Sequence, residues 1–402
     1  MNVVALRRPT AESRTTPGTD YHIARIEVFE DLVAAEPHWR ALERADILAT
    51  PYQRFDFLKL WQEHFGTAAA VTPFIMVGFN AIGTPLFLWP FGRRTLGHWR
   101  VIEFLGGKHV NFNMGLWRRD VAATIGAAEI RAGIAHLAPY ADALWLTGQS
   151  LTWEGTTNPF ALLPHQRSAN FGFSGSLIGD FDALLRARTN AAARKKMRKK
   201  ERALASYGSV RFALVRGDTE LRGALDAFFK QKSARMRVLG NPNVFAAAEV
   251  RRFVEAAAAE RLPNGDPLIE IYALSVNDII VATMGGIVGG GRFCAMFNSI
   301  AQGRYAIESP GEQLIVNLVR RCCERGFTSF DLGIGEAHYK NLFCGDTEPL
   351  FDSFLPLSRA GRPLAAAARM TAVIKRAIKQ RPALWSLVRA MRRLRSYVFD
   401  VG

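Results

Sequence analysis

Four side chains that can move a proton or bind an anion lie close together in the last third of the chain. Asp331 follows a short apolar run, and His338, Tyr339 and Lys340 come soon after it in the segment FDLGIGEAHYK. A carboxylate or an imidazole can accept a proton near neutral pH, a phenol can donate one, and an ammonium group can bind phosphate. These residue types at such short spacing predict proton transfer beside an anionic ligand.

A second candidate site is the start of the helix that precedes this segment. The sequence SPGEQ, with Ser309, Gly311, Glu312 and Gln313, opens a helix that the apolar periodicity predicts over 311–325. The first turn of a helix leaves backbone N–H groups unpaired, and these groups favour a pyrophosphate together with the helix dipole. An ordinary structural helix start has the same composition, so the motif alone leaves both interpretations open.

The elements that must position these residues occur twice. Two strand-like runs joined by a turn, a third strand, a helix and a short buried strand fill 73–146 and recur at 268–332. This repeat predicts a mixed α/β fold in two duplicated domains. The predicted organisation is a disordered lead over 1–20, an N-terminal domain over 21–175, a C-terminal domain over 176–357 and a helical tail over 358–402. Only the second copy has the SPG helix start, so we expect a single site of this kind, in the C-terminal domain.

The positive charge is concentrated in two segments. The formal net charge is +16, and residues 184–207 contain nine basic residues against one acidic residue. This stretch predicts a basic helix, either a solvated face or a surface for phosphates or an anionic polymer. Residues 353–399 contain eleven basic and no acidic residues. They predict a basic amphipathic helix over 358–395 that could lie on an anionic membrane, on a partner or on its own domain.

Other sequence features narrow the class of protein. No apolar run is long enough to span a bilayer and no signal peptide is evident, which predicts a cytoplasmic protein, with peripheral binding at the inner face of the membrane as an extension. The four cysteines lack metal-ligand spacing, so no metal site is expected. Dinucleotide, P-loop and zinc-protease motifs do not occur. The run GGIVGGG at 285–291 falls in a predicted hairpin, where glycines permit a bulge or the close approach of another chain or a ligand.

The helix start and the FDLGIGEAHYK segment together carry a family resemblance. The run SPG to NLF at 309–343 resembles the C-terminal signature of the GNAT-like acetyltransferases of the cellulose-biosynthesis CelD/BcsL type, which are related to the FemABX aminoacyltransferases. The segments RFDFLKLWQEHFG and RARTNAAARKKMRK extend the resemblance over most of 20–355. Relatives commonly carry an acidic residue directly before the Tyr-Lys pair, whereas this chain has Glu336 followed by Ala337 and His338.

The resemblance implies tandem GNAT-like domains, an acetyl-CoA or longer acyl-CoA donor, and an amine or hydroxyl acceptor on a small molecule, a saccharide or a peptide. Under it, Asp331 would orient or deprotonate the acceptor, with His338 as the alternative base. Tyr339 would protonate the leaving thiolate or hold the acyl carbonyl. The helix start at 309–313 and Lys340 would bind the phosphates of CoA.

Three functions are compatible with the sequence. The first is an acyl-CoA-dependent N-acyltransferase of envelope or exopolysaccharide (cellulose-type) biosynthesis. The second is aminoacyl transfer from charged tRNA, in which the basic helix follows the RNA backbone. The third is a non-catalytic GNAT scaffold that binds a membrane synthase through 358–395. Stabilisation of the fold by an acyl-CoA would favour the first, because a ligand that binds only the native state raises its stability.

Overall fold

The computed structural model describes residues 3–5, 22–334 and 343–381. The strands, in chain order, are β1 (Val3–Ala5), β2 (Arg25–Phe29), β3 (Ile47–Leu48), β4 (Thr72–Phe79), β5 (Pro85–Leu96), β6 (Trp99–Phe104), β7 (Leu116–Arg118), β8 (Ala143–Ser150), β9 (Thr152–Trp153), β10 (Thr156–Thr157), β11 (Gln166–Ser176), β12 (Val210–Leu214), β13 (Glu270–Val276), β14 (Ile279–Gly289), β15 (Arg292–Ile300), β16 (Ser329–Ile334) and β17 (Asp346–Pro356). The helices are α1 (Leu32–Glu43), α2 (Phe55–Trp61), α3 (Arg119–Thr124), α4 (Ala127–Ala135), α5 (Phe181–Arg188), α6 (Ala191–Ala205), α7 (Asp218–Leu239), α8 (Ala248–Ala259), α9 (Pro310–Glu324) and α10 (Gly361–Gln380).

The chain forms two compact units. The first combines residues 1–169 with 349–374, and the second combines 170–348 with 375–402. Residues 349–374 were predicted to belong to the C-terminal domain and the tail, but they group with the first unit. The physical reason is strand pairing, because β17 lies antiparallel to β8 from Leu350, opposite Ser150, to Pro356, opposite Ala143.

The two units repeat one order of elements. In the first unit, β2 is followed by α1 and α2, by the antiparallel strands β4, β5 and β6, by α4, and by β8, which pairs parallel to β6. In the second unit, β12 is followed by α7 and α8, by the antiparallel strands β13, β14 and β15, by α9, and by β16, which pairs parallel to β15. The predicted mixed α/β fold with a duplicated order of elements is confirmed.

The core of the second unit lies between α9 and the sheet. Leu314, Leu318 and Cys322 are spaced by about one helical turn and are buried against residues of β13 and β14, including Leu274 and Met284. Full burial of one leucine side chain stabilises the fold by roughly 1.5–3 kcal/mol, so this helix is anchored by its apolar stripe. It ends as the sequence predicts, since Gly326 follows its last turn with a φ of 71°.

Two segments differ from their sequence predictions. Residues 3–5, inside the predicted disordered lead, form β1 and pair with β2. The basic stretch 181–207, predicted as helix throughout, is divided into α5 and α6. Asn190 interrupts it, because its side-chain oxygen accepts a hydrogen bond from the N–H of Ala193 at 2.8 Å and so caps a new helix.

The tail forms α10 as far as Gln380, and the rest of the predicted tail helix, from residue 382, lies outside the described residues. Within the described part of the chain, no helix combines the length and hydropathy that a membrane crossing requires.

Candidate functional site

Strands β15 and β16 pair at one end and then diverge. Their parallel pairing comprises Arg292 opposite Ser329, Phe293 opposite Phe330 and Cys294 opposite Asp331. β15 then continues to Ile300 and β16 to Ile334 without further pairing between them. We call this opening the strand fork. Beyond Cys294 and Asp331 the two strands do not bond to each other, and an opening of this kind is suited to an extended ligand.

A β-bulge lies in the free part of β15. Gly285 of β14 stands opposite Phe297 and Gly286 stands opposite Ala295, so Met296 has no partner. One extra residue in a strand reverses which side chains face which side of the sheet. Phe293 and Ala295 belong to the core beneath α9, whereas Phe297 lies 4.5 Å from the Phe228 ring of α7. The bulge therefore turns the end of β15 towards α7.

The glycines of the predicted hairpin make room for these aromatic rings. A Cβ at Gly285 would lie 2.2 Å from the Phe297 ring, and a Cβ at Gly286 would lie 2.4 Å from the Phe293 ring. The close approach predicted for the GGIVGGG run is therefore made by phenylalanine side chains of β15 at these two positions.

Asp331 lies at the vertex of the fork and is completely buried. Arg292 Nε donates to its Oδ2 at 3.0 Å, and the N–H of Gly333 donates to its Oδ1 at 2.9 Å. The guanidinium of Arg292 also makes a two-point contact with Glu348, at 2.7 and 3.0 Å. Burial raises the pKa of the Asp331 carboxyl, against the opposing effect of Arg292. The carboxylate thus belongs to a buried charged cluster that ties β15, β16 and β17 together.

The other predicted catalytic residues cannot be placed. His338 and Tyr339, with Lys340 as the predicted phosphate ligand and Glu336 as the shifted acidic residue, lie outside the described residues.

The start of α9 offers fewer free N–H groups than the sequence predicts. Pro310 has none, and the N–H groups of Glu312 and Gln313 both donate to the carbonyl of Ser309, at 3.0 and 3.3 Å. Ser309 adopts a left-handed conformation with a φ of 53°, which directs its carbonyl back into the first turn. Gly311 is buried against Ile300. An anion at this helix start must therefore be held mainly by side chains and by the helix dipole.

The side chain that meets the start of α9 comes from the basic helix. Lys200 Nζ of α6 lies 2.9 Å from Ser309 Oγ and 2.7 Å from Glu312 Oε2, and Gln313 Nε2 donates to the Lys200 carbonyl at 3.1 Å. The start of α9 and the basic helix α6, which the sequence singled out separately, therefore form one surface. Charge density marked α6 in the sequence, but no local pattern identified Lys200 among its basic residues.

The surface between α6 and α9 is concave. A cleft there is lined by Lys200 and Glu201 of α6 and by residues of α9 from Glu312 to Arg320, so that its charged side chains balance. A wider groove continues from Arg320 and contains Arg216 and Arg321 against Glu324, which gives it a positive charge. The arrangement suits a ligand that carries several negative charges. Among the described residues, no group of three or more His, Cys, Asp or Glu side chains could hold a metal ion.

Comparison with known proteins agrees with this geometry. Residues 191–341 match the family model described as Acetyltransferase (GNAT) domain. Among solved structures, the chain is similar to FemX, with a TM-score of 0.54 and 11% identity, covering 85% of this chain and 99% of that one. It is also similar to the C-terminal domain of a putative lysylphosphatidylglycerol synthetase from Agrobacterium fabrum, with a TM-score of 0.50 and 11% identity, covering 86% and 97%. No curated protein matches the chain in sequence. At such low identity the two structures show a shared fold and nothing finer.

Proposed function

Because residues 191–341 match the Acetyltransferase (GNAT) domain model, we propose that the chain is an acyltransferase that transfers an acyl group from acetyl-CoA or a longer acyl-CoA to an amine or hydroxyl acceptor. The strand fork is the observation that carries this proposal. Beyond Cys294 and Asp331, the two strands no longer pair with each other, and the opening between them suits an extended pantetheine arm. The acyl thioester at the end of the arm would then lie inside the fork.

The phosphates of the donor fit the surface between α6 and α9. The positive end of the α9 dipole and the ammonium group of Lys200 meet at Ser309, beside the open end of the fork. We expect a pyrophosphate to compete with Glu312 for Lys200, since both are anions. From the sequence motif we also propose Gly311, Gln313 and Lys340 for the phosphate site, Tyr339 for protonation of the thiolate, and His338 as an alternative base.

The donor site belongs to the second unit. In the first unit, α4 holds the position that α9 has in the second, but the N–H of Gly126 at its start donates to the Glu129 carboxylate at 2.6 Å. An internal acidic cap of this kind disfavours a bound phosphate, because the carboxylate would repel it. The biological setting that we propose, envelope or exopolysaccharide (cellulose-type) synthesis, is supported by the sequence resemblance alone.

Aminoacyl transfer from charged tRNA is the second candidate. The basic groove along α9, with Arg216, Arg320 and Arg321, and the similarity in fold to FemX favour it. Binding of RNA through such a surface would weaken steeply as salt rises, because counterions are released on binding.

A thermal-shift series on the full chain separates the two donors. Acetyl-CoA, longer acyl-CoA species, free CoA and aminoacyl-tRNA are added at matched excess. We expect acyl-CoA to raise the melting temperature, since a ligand at 100 times its dissociation constant stabilises the native state by about 2.7 kcal/mol. Stabilisation by aminoacyl-tRNA at low salt, with none by any CoA species, would reject the first proposal in favour of the second.

A further inference from the structure

The Nζ atom of Lys232 lies beside the part of β15 that forms one side of the strand fork. Lys232 belongs to α7, and its Nζ is 3.2 Å from the carbonyl oxygen of Asn298 in β15. Asn298 follows the bulge at Met296, so it lies in the part of β15 that no longer pairs with β16. The side chain therefore reaches the strand edge along which the proposed donor would lie.

A buried polar network fixes α7 beside this edge. Ser299 Oγ donates to Gln231 Oε1 at 2.7 Å, and the hydroxyls of Ser299 and Thr283 lie 2.7 Å apart. Gln231 Nε2 donates in turn to the carbonyl of Ile280 at 2.8 Å. Because Gln231 directly precedes Lys232, these bonds hold the backbone of Lys232 at a defined distance from β15. Buried networks of this kind limit the movement of the elements that they join.

Lys232 lacks a carboxylate partner among the described residues. The aromatic ring of Phe245, in the segment before α8, lies 5.6 Å from its Nζ, and β14 and β15 present the uncharged hydroxyls of Thr283 and Ser299 to this part of α7. Burial and, to a smaller extent, the positive charge of Arg235 together lower the pKa of Lys232 from 10.5 to about 8. Arg235 is the one charged group in the described part of the chain that perturbs it. The side chain of Lys232 therefore loses its proton at a lower pH than an ordinary lysine does.

We propose that Lys232 is the general base of the acyl transfer and that it takes the proton from the ammonium group of an amine acceptor. The proposal rests on the function proposed above and identifies the acceptor of that site as a primary amine. A lysine serves as a base only if it is neutral, which requires a site without a compensating carboxylate. The surroundings of Lys232 meet this condition, unlike those of Lys200, which pairs with Glu312.

The proposed step balances in protons and electron pairs. The Lys232 amine accepts one proton from R–NH₃⁺ and becomes an ammonium, which leaves the acceptor as R–NH₂. The nitrogen lone pair attacks the thioester carbonyl carbon, a C–N bond forms, and the C–S bond breaks with its electron pair on sulfur. The second proton lost from the nitrogen passes to the thiolate and gives CoA–SH. The ammonium of Lys232 then releases its proton to water.

A titration by competitive labelling tests the protonation state without any acceptor. Acetic anhydride reacts only with neutral amines, so mass spectrometry of the full chain labelled at a series of pH values gives the pH at which each lysine becomes reactive. Lys230 is the matched control, because it lies on the same helix and is exposed. We expect Lys232 to become reactive near pH 8, about two units below the ordinary value of a lysine side chain. Titration of both lysines together near the ordinary lysine value would overturn the proposal.

Kinetics with two amine probes test the catalytic step. Ethanolamine is an ammonium ion at neutral pH, whereas hydroxylamine is a weak base that is already neutral. We expect Lys232→Met to release CoA from acetyl-CoA roughly 100-fold more slowly with ethanolamine, the scale of general base catalysis, but at nearly the wild-type rate with hydroxylamine. Lys230→Met should match the wild type with both probes, and acetyl-CoA should stabilise both variants.

The outcomes separate this inference from the proposed function. If the wild type is not stabilised by acetyl-CoA and releases no CoA with hydroxylamine, the proposed function fails. If the wild type is active and Lys232→Met loses both activities equally, or neither, Lys232 is not the base. If the wild type does not use ethanolamine, the labelling titration alone decides.

Discussion

Asp331 and Arg292 form an ion pair at the vertex of the strand fork, with Asp331 Oδ2 lying 3.0 Å from Arg292 Nε. The two residues belong to β16 and β15, within the three registered pairs that precede the divergence. A charged contact at this point joins the strands where their backbone pairing stops. It therefore sets where the fork begins, and loss of the contact should affect both the stability of the second unit and the shape of the donor site.

Replacement of Asp331 should cost far more stability than replacement of an exposed acid. Loss of one partner from a buried pair typically costs 3–5 kcal/mol, so we expect Asp331→Asn to lower the free energy of unfolding by about 3 kcal/mol. Asp226→Asn is the control, because Asp226 pairs with Arg251 at the surface, where such pairs contribute less than about 1 kcal/mol. Urea unfolding of both variants gives the comparison. If the two variants lost the same free energy of unfolding, the buried charged cluster would contribute no more to stability than a surface ion pair does.

The same variant tests the catalytic role predicted for Asp331. Turnover of Asp331→Asn is measured below its melting temperature, at saturating acetyl-CoA. If Asp331 only holds the fork, the substitution raises the KM for acetyl-CoA and leaves the rate at saturation close to that of the wild type, whereas loss of a general base lowers the rate at saturation roughly 100-fold or more. Unchanged turnover would remove Asp331 from the mechanism.

Lys200→Met should weaken binding of acyl-CoA. A hydrogen bond to a charged group contributes about 1.5–3 kcal/mol, so we expect a dissociation constant at least about tenfold higher, measured from the concentration dependence of the thermal shift. Lys196→Met is the matched control, since Lys196 is exposed on the same helix. A similar loss in both variants would mean that the net charge of α6, and no specific contact, attracts the donor.

Gly311→Ala should disturb the contact between α9 and the end of β15. An added Cβ would lie 2.5 Å from Cδ1 of Ile300, and overpacking of this kind costs about 1–3 kcal/mol. The double variant Gly311→Ala with Ile300→Val removes that methyl group and should recover part of the loss. Gly223→Ala on α7 is the control, because nothing lies within 4 Å of its added Cβ, and alanine should stabilise that helix by up to about 1 kcal/mol. If the changes in unfolding free energy caused by Gly311→Ala and Ile300→Val were additive, the predicted contact between the two side chains would be contradicted.

His109 should make the first unit sensitive to acid. Trp61 Nε1 donates to His109 Nδ1 at 3.0 Å, and burial, with Lys108, lowers the histidine pKa from 6.5 to about 4. The unfolded chain then binds more protons than the folded chain between these values. The contribution of His109 to the free energy of unfolding is therefore fully present above pH 6.5. It decreases as pH drops towards 4, by at most about 3 kcal/mol. His109→Phe should flatten this part of the curve of unfolding free energy against pH, and parallel curves would contradict the mechanism.

The elements around the site followed from local sequence patterns. The helix predicted over 311–325 is Pro310–Glu324, and the strand predicted over 329–332 is Ser329–Ile334. Apolar spacing and the glycine after the helix are local signals, so both elements could be predicted without knowledge of the distant strands and helices that they contact. The split between α5 and α6 was missed because helix propensity outweighed the capping side chain of Asn190.

The site itself depended on contacts between distant parts of the chain. Lys200 and Glu312 are 112 residues apart, and nothing in either local sequence indicates the other. The buried state of Asp331 follows from Arg292 and Glu348, which reach it from two other strands. Lys232 carries no motif, because its properties come from what surrounds it and not from its neighbours in sequence.

The bulge at Met296 makes β15 vulnerable to a change in length. Side chains before Met296 alternate between the two faces of the sheet in one order, and side chains after it alternate in the opposite order. Deletion of Met296 would give the whole strand a single order of alternation. Phe297 and Ser299 would then turn away from α7, and Gln231 and Lys232 would lose their contacts with β15 together. Substitutions in this strand alter one side chain at a time, whereas the loss of this one residue would rotate the whole end of the strand. Homologous chains that differ in length at this position should therefore differ in the acceptor that they use.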